Sequence, residues 1–349
     1  MTRVTGWRRA WRWAKRILLG LLALLILVVI VGAIYEALGR RAAARDFPPP
    51  GKRVDIGGRS IHIDCRGTGS PTVVFEAGLG SGGSVEWSLV HEQVARVTRA
   101  CAYDRAGIMW SDAKDGPQDA VAVADDLHAT LKAAGITDPL VLVGHSIGGP
   151  YIRTYAGRYG DQVAGLVFVD SSHPDQVVEL GKVTRTNMHP GKVSAVVDTA
   201  SALSWTGLVR FLAAGTGSPL LSARDRERMA AYASSSIRGA RAELAGFDRT
   251  MDAARAVRTL GDRPLVVLTA MKPPTPAELK ALGLTPEEGA RFKQRWATLN
   301  GEIAALSTRS RQQLVPDAGH YIQYDRPDTV IAAVRDVVGQ VRAGTMAAR

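Results

Sequence analysis

Gly144-His145-Ser146-Ile147-Gly148 holds the residue of this chain best placed for nucleophilic chemistry. A serine hydroxyl is a weak nucleophile at neutral pH and becomes reactive only when a hydrogen-bonded base takes its proton. The Gly-x-Ser-x-Gly spacing supplies the backbone such a serine needs. Glycines on either side allow a turn too tight for a Cβ, which lifts the hydroxyl above a sheet and sets the N-terminus of a helix beneath it. Seven histidines are available as the base. The chain has neither His-x-x-x-His nor Cys-x-x-Cys spacing, and neither a P-loop nor a dinucleotide pattern, so no metal and no cofactor is expected.

The elements that must position Ser146 follow from hydrophobic patterning. Residues 140–143 (Leu-Val-Leu-Val) read as a buried parallel strand, and the helix after the serine runs from 147 to about 159, closing at Gly160. Upstream, residues 52–65 alternate apolar and polar side chains around Gly57-Gly58, a hairpin signal. Strands are expected at 71–75 and 97–103 with a helix over 86–96 between them, followed by a helical pattern from 121 to 131. Downstream, 163–169 and 264–270 read as buried strands, 312–315 as a short last strand and 329–341 as a final helix. This alternation means an α/β domain with a mostly parallel sheet. Two stretches interrupt it. Residues 171–256, with helices expected at 196–214 and 225–256, read as a cap over the strand ends where Ser146 opens. In residues 272–310, Thr285-Pro-Glu-Glu starts a helix running to 306.

The serine turn, a Gly-His pair near the C-terminus and this rhythm of elements together resemble the α/β-hydrolase fold, in its single-domain esterase-like branch with a helical cap. The segments that carry the resemblance are Thr72-Val-Val-Phe-Glu-Ala-Gly-Leu-Gly80, Tyr103-Asp-Arg-Ala-Gly-Ile-Met-Trp-Ser111, the serine turn itself and Gly319-His320-Tyr-Ile-Gln. It covers residues 52–343 and implies an eight-stranded, mostly parallel sheet with helices on both faces. It also assigns roles. His320, after the last strand, is the expected base, while His145 is a packing residue and His173 at most lines the site. For the triad acid the usual place after the seventh strand offers no carboxylate before Glu278. Asp170 closes the sixth strand, a position some branches use, and is the expected acid with Glu278 as the alternative; a turn or helix-capping role for Asp170 is the competing reading. The two oxyanion donors are expected to be the backbone N–H groups of Ile147 and Leu79, in a loop where Ala77 replaces the histidine of many relatives. Asp104-Arg105 resembles a structural turn. Epoxide hydrolases and haloalkane dehalogenases on this fold carry aspartate at the position of Ser146, which argues against both.

The expectation is therefore a serine hydrolase that cleaves a small, apolar carboxylic ester by acyl transfer. A thioesterase, an amidase or a carbon–carbon bond hydrolase on the same triad, or a non-catalytic tethered binding module, are the alternatives. Cys65 and Cys101, the only cysteines, fall on strands that neighbour each other in this fold, so a cross-strand disulfide is expected, against two buried thiols.

The N-terminus adds a second organising feature. Residues 17–35 contain no charged side chain and, as a helix, would extend about 28 Å, close to the ~30 Å hydrocarbon core of a bilayer. Residues 1–16 form its basic flank with Arg3, Arg8, Arg9, Arg12, Lys15 and Arg16 and no acid. Residues 36–51 are expected to be a linker, stiffened by three consecutive prolines, leading into a domain over 52–349. The unopposed basic flank should stay cytoplasmic, which places that domain outside the cytoplasm on a retained single-pass anchor. Secretion after cleavage near Ala37-Leu38-Gly39 is the competing reading. Residues 1–53 hold 11 of the chain's 44 basic and 2 of its 33 acidic side chains, so the excess positive charge belongs mainly to the anchor region. Nothing after Arg53 demands the concentrated basic face of a nucleic-acid-binding domain.

Overall fold

The computed structural model describes residues 4–80 and 82–347; Arg3 of the basic flank lies outside them. A long helix α1 (Val4–Asp46) leads into the hairpin β1 (Lys52–Asp55) and β2 (Ser60–Arg66), then β3 (Thr72–Glu76). Helix α2 (Ser88–Ala95), β4 (Ala100–Tyr103), α3 (Ala120–Ala133), β5 (Leu140–His145), α4 (Gly148–Arg158) and β6 (Val163–Val169) follow. The cap comprises α5 (Gln176–Thr184), α6 (Ser194–Ala202), α7 (Leu208–Ala213), α8 (Ala223–Ala245) and α9 (Phe247–Ala256). After β7 (Leu265–Ala270) come α10 (Pro276–Leu282), α11 (Pro286–Ala304), β8 (Ser310–Val315), α12 (Ile322–Asp325) and α13 (Pro327–Ala347).

The eight strands form one sheet in the order β1-β2-β4-β3-β5-β6-β7-β8, antiparallel through β1, β2 and β4 and parallel from β4 to β8. This is the mostly parallel α/β sheet expected from the sequence. Successive side chains of a strand point to opposite faces, and here both faces are covered. Val73, Phe75, Val141 and Val143 pack with Val90 of α2 and Val334 and Val337 of α13; Val74, Leu140, Leu142 and Phe168 pack with Leu127 of α3 and Ile152 of α4. That two-sided burial explains why the central strands read as unbroken apolar runs. Cys65 and Cys101 are register partners on β2 and β4 and are joined by a disulfide.

Two boundaries differ from the sequence reading. The expected linker over 36–51 is helical through Asp46, leaving only the residues around the three prolines outside α1. Residues 36–46 are rich in Ala and Arg, good helix formers, and Glu36 is not solvated: it is buried against Arg210 and Ser234 of the cap. The cap helices are also shorter than expected. Gly207, at φ +77°, separates α7 from the turn before it. Gly246 separates α8 from α9, where a Cβ would stand 2.6 Å from the carbonyl oxygen of Gln118.

Candidate active site

Ser146 follows the last residue of β5 and precedes α4 by one residue. Its φ of +53° is a left-handed conformation that L-residues rarely adopt, held here by surrounding bonds. The Ser146 N–H donates to the carbonyl of Val169 (3.2 Å), and its own carbonyl accepts from the N–H groups of Gly149 (3.0 Å) and Ser172 (2.9 Å). A Cβ at Gly144 would lie 2.5 Å from the Gly148 oxygen, and one at Gly148 2.6 Å from the Glu76 oxygen. Both glycines are therefore required sterically.

His320, in the loop between β8 and α12, places Nε2 3.0 Å from Ser146 Oγ and Nδ1 2.7 Å from Asp170 Oδ2. Asp170 follows β6 directly, is 2% exposed and also has a positive φ, +41°. Its Oδ1 accepts from the Ala270 N–H and from Trp296 Nε1, both at 2.8 Å. A carboxylate only accepts, so Nδ1 of His320 must carry its proton toward Asp170, and the Nε2 lone pair faces the serine hydroxyl. The three residues singled out as nucleophile, base and acid thus share one hydrogen-bond chain. Glu278 is engaged elsewhere: it closes the capping box of α10, accepting from the N–H (2.6 Å) and hydroxyl (2.8 Å) of Thr275, which hold its carboxyl below the usual range.

The loop after β3 brings Leu79 beside the serine turn. Among the described residues, the N–H groups of Leu79 and Ile147 have no protein acceptor, which leaves them for an incoming oxygen. That loop is held by Arg105, of the turn read as structural, and by carboxylates to which the sequence reading gave no role. Arg105 donates to the carbonyls of Ala77 (2.8 Å) and Gly78 (2.7 Å), while pairing with Glu76 (2.5 Å) from β3 and Glu243 (2.7 Å) from cap helix α8. One buried cation thus faces two buried carboxylates. Burial pushes the Glu76 carboxyl up to about 6 against the pull of Arg105 and Tyr103, and pushes Glu243 up as well. Glu86, also buried, accepts from the Gly78 N–H (2.8 Å) and stands 3.5 Å from His145 Nδ1. Burial alone would raise Glu86, but His145, the Gly78 N–H and Arg105 together hold it below the usual range. His145 donates Nε2–H to the carbonyl of His320 (2.9 Å), so it positions the loop of the base besides packing.

His173 lies beyond the serine turn in the Asp170-Ser-Ser-His run. Its Nδ1 accepts from the Asp175 N–H (3.1 Å), and burial pushes the imidazole down to about 4. Two cavities meet at His320, and Ser146 opens into the first. One of about 540 Å³ reaches Leu180, Met188, Phe292 and Trp296; the other, also about 540 Å³, passes Leu79 toward Leu220 and Met229. Among the described residues, no group of three or more His, Cys, Asp or Glu side chains could hold a metal ion.

Residues 57–333 match the family model described as "Alpha/beta hydrolase family". A probable transporter, efuK, of Hormonema carpetanum is 35% identical over 127 residues, 34% of this chain and 18% of its own length. The chain thus spans less than a fifth of that relative. Among solved structures, a thermophilic esterase from Thermogutta terrifontis superposes with a TM-score of 0.57 at 22% identity, covering 83% of this chain and 98% of its own. A meta-cleavage product hydrolase (CumD) of Pseudomonas fluorescens IP01 gives a TM-score of 0.56 at 18% identity, with coverages of 83% and 98%. At these identities the likeness is one of fold.

Proposed function

The chain belongs to the alpha/beta hydrolase family, and from that premise we propose that it is a serine hydrolase of carboxylic esters, anchored in a membrane by α1. The observation that carries the reading is the hydrogen-bond chain from Ser146 Oγ through His320 to the buried Asp170. Ser146 Oγ attacks the ester carbonyl while His320 Nε2 takes its proton. The imidazolium so formed is stabilised by Asp170, itself steadied by Ala270 N–H and Trp296 Nε1–H. The N–H groups of Ile147 and Leu79 receive the developing oxyanion. Collapse expels the alcohol, protonated by His320, and a water activated by the same base then releases the acid from Ser146. The apolar side of the cavity, formed by Leu180, Met188 and Phe292, suits an apolar acyl group.

Helix α1 is long and apolar enough to cross a membrane. Its basic flank favours a cytoplasmic N-terminus and an extracytoplasmic catalytic domain, and the Cys65–Cys101 bond agrees with an oxidising compartment. Retention of the anchor is supported by Glu36: cleavage near Ala37 would remove this carboxylate and leave Arg210 without its buried partner.

The test is labelling of the full chain with a fluorophosphonate, which reacts only with an activated serine. Wild type should take the label and hydrolyse an activated ester with a burst; Ser146→Ala should do neither while keeping its fold. Equal labelling or turnover in Ser146→Ala would refute the assignment.

A further inference from the structure

The cap is docked on the end of the apolar helix. Gly32 lies three residues inside the apolar stretch 17–35, and a Cβ there would stand 2.2 Å from the carbonyl oxygen of Thr206. A Cβ on Gly207 would in turn stand 2.7 Å from the Gly32 oxygen. One turn further, Glu36 accepts from Arg210 Nε (2.9 Å) and the Ser234 hydroxyl (2.6 Å), and Tyr232 donates to the Phe47 carbonyl (3.1 Å). Because each helical residue rises 1.5 Å, the turn at residues 204–207 sits about 4–5 Å inside the end of the apolar stretch.

The side chains around that turn are those of an apolar surface. Trp205 (52% exposed), Leu208 (45%), Phe211 (68%) and Leu212 (64%) face outward. Leu208, Phe211 and Leu212 share one face of α7 by their spacing. Arg210 is the one charged residue from 199 to 223, and it is turned inward to Glu36. Helix α7 is thus inverted relative to a helix facing water, with its charge inside and its large apolar groups outside. The segment that follows touches both ends of the problem. Ala214, Gly215 and Thr216 line a cavity against α1, and Gly217, Leu220 and Leu221 rim the cavity that reaches Leu79 and His320.

We propose that Trp205, Leu208, Phe211 and Leu212 rest in the acyl–headgroup boundary of the same bilayer that α1 spans, so that the site draws ester substrates of the lipid class from the membrane past residues 214–221. The occupant of this face is lipid, because the face continues the surface of a helix whose apolar stretch is already committed to the bilayer. The inference rests on the anchor reading above. A tryptophan and large aliphatic groups on one side of a short helix are the residue types that enter this boundary, to a depth of about 5–10 Å.

The test uses the full chain in phosphatidylcholine–phosphatidylglycerol vesicles, with an environment-sensitive fluorophore on a single introduced cysteine. Cys65 and Cys101 are bonded to each other and do not compete for label. The positions are Leu212→Cys, Phe211→Cys as a second exposed site, Leu22→Cys within the apolar stretch, and Asp161→Cys at the opposite end of the sheet. Leu22, Leu212 and Phe211 labels should emit in the blue and lose about half their emission when lipids carrying a nitroxide are included, while the Asp161 label should be unaffected. A quenched Leu22 label with water-like Leu212 and Phe211 labels would overturn the proposal and leave the anchor standing. An unquenched Leu22 label would overturn both. Blue-shifted but unquenched labels at 211 and 212 would place protein, such as a second copy of this chain, on the face and overturn it equally.

Discussion

Asp170→Asn should inactivate the site by reversing the tautomer of His320, and the structure says why the new amide cannot avoid doing so. Oδ1 of Asp170 receives two donors, the Ala270 N–H and Trp296 Nε1–H, each at 2.8 Å. An asparagine at this buried position must therefore present its carbonyl oxygen to them, because its NH2 group would put donor against donor twice. The NH2 group is then forced into the place of Oδ2, 2.7 Å from His320 Nδ1. Nδ1 must accept, the imidazole proton moves to Nε2, and the lone pair that faced Ser146 Oγ is gone. The loss expected from a wrong tautomer with intact geometry is about 10⁴-fold in kcat, equivalent to about 5.4 kcal/mol at 1.36 kcal/mol per tenfold. The assay is single-turnover acylation by an activated ester, with fluorophosphonate labelling as an independent rate. Glu278→Gln serves as the comparison. A loss of less than about tenfold in Asp170→Asn, or an equal loss in Glu278→Gln, would refute the argument. Adding Trp296→Phe to Asp170→Asn should restore nothing, since the Ala270 N–H still fixes the amide.

Two further predictions concern stability. Arg105→Met leaves Glu76 and Glu243 buried without their cation and should cost about 3–5 kcal/mol, lowering the thermal midpoint by about 5–8 °C; adding Glu243→Gln should recover part of it, and an unchanged midpoint in Arg105→Met would refute the pairing. His173 has its folded pKa depressed to about 4, below the ordinary value near 6.5. The unfolded chain then binds the extra proton between these values, so the stability His173 contributes is complete above about pH 6.5 and is lost as pH falls toward 4. His173→Gln should remove that component, about 2–3 kcal/mol of the difference between pH 7 and pH 4.5, read as a smaller shift in thermal midpoint than wild type; equal shifts would refute it.

What the sequence discloses is local. Gly144 and Gly148 are legible because they are needed within four residues of each other, where Cβ atoms would stand 2.5–2.6 Å from backbone oxygens. The strands are legible because burial on both faces writes a continuous apolar run. His320 and Asp170 are legible through the family resemblance, which singles out the ends of particular strands, and their bond spans 150 residues. Trp296 is not: nothing near it in the sequence announces that its indole N–H reaches Asp170, 126 residues away. The Arg105–Glu243 pair spans 138 residues: the Asp104-Arg105 turn reads as structural, but nothing in the sequence ties it to the cap helix. Glu36 misled for the same reason, since a charged residue after an apolar stretch reads as the start of a linker until Arg210, 174 residues on, is seen beside it.

Two of these unannounced sites, around Glu36 and Arg105, are joined by one element. Helix α8 carries both Ser234, whose hydroxyl donates to Glu36 of α1, and Glu243, which receives the guanidinium of Arg105. The two are nine residues apart, about 13–14 Å along one helix. Arg105 in turn holds the carbonyls of Ala77 and Gly78, and so the loop that presents the Leu79 N–H. A rigid helix thus links the proposed anchor to the proposed oxyanion donor, through a buried hydrogen bond to Glu36 at one end and a buried ion pair with Arg105 at the other. Charges buried in this way stabilise little compared with apolar packing of the same volume, but breaking one partner is costly, so they fix a geometry more than they add stability. With α1 as the proposed anchor, the geometry fixed here would be the height of Ser146 above the bilayer, the quantity that the proposed uptake of an ester from the membrane needs held constant.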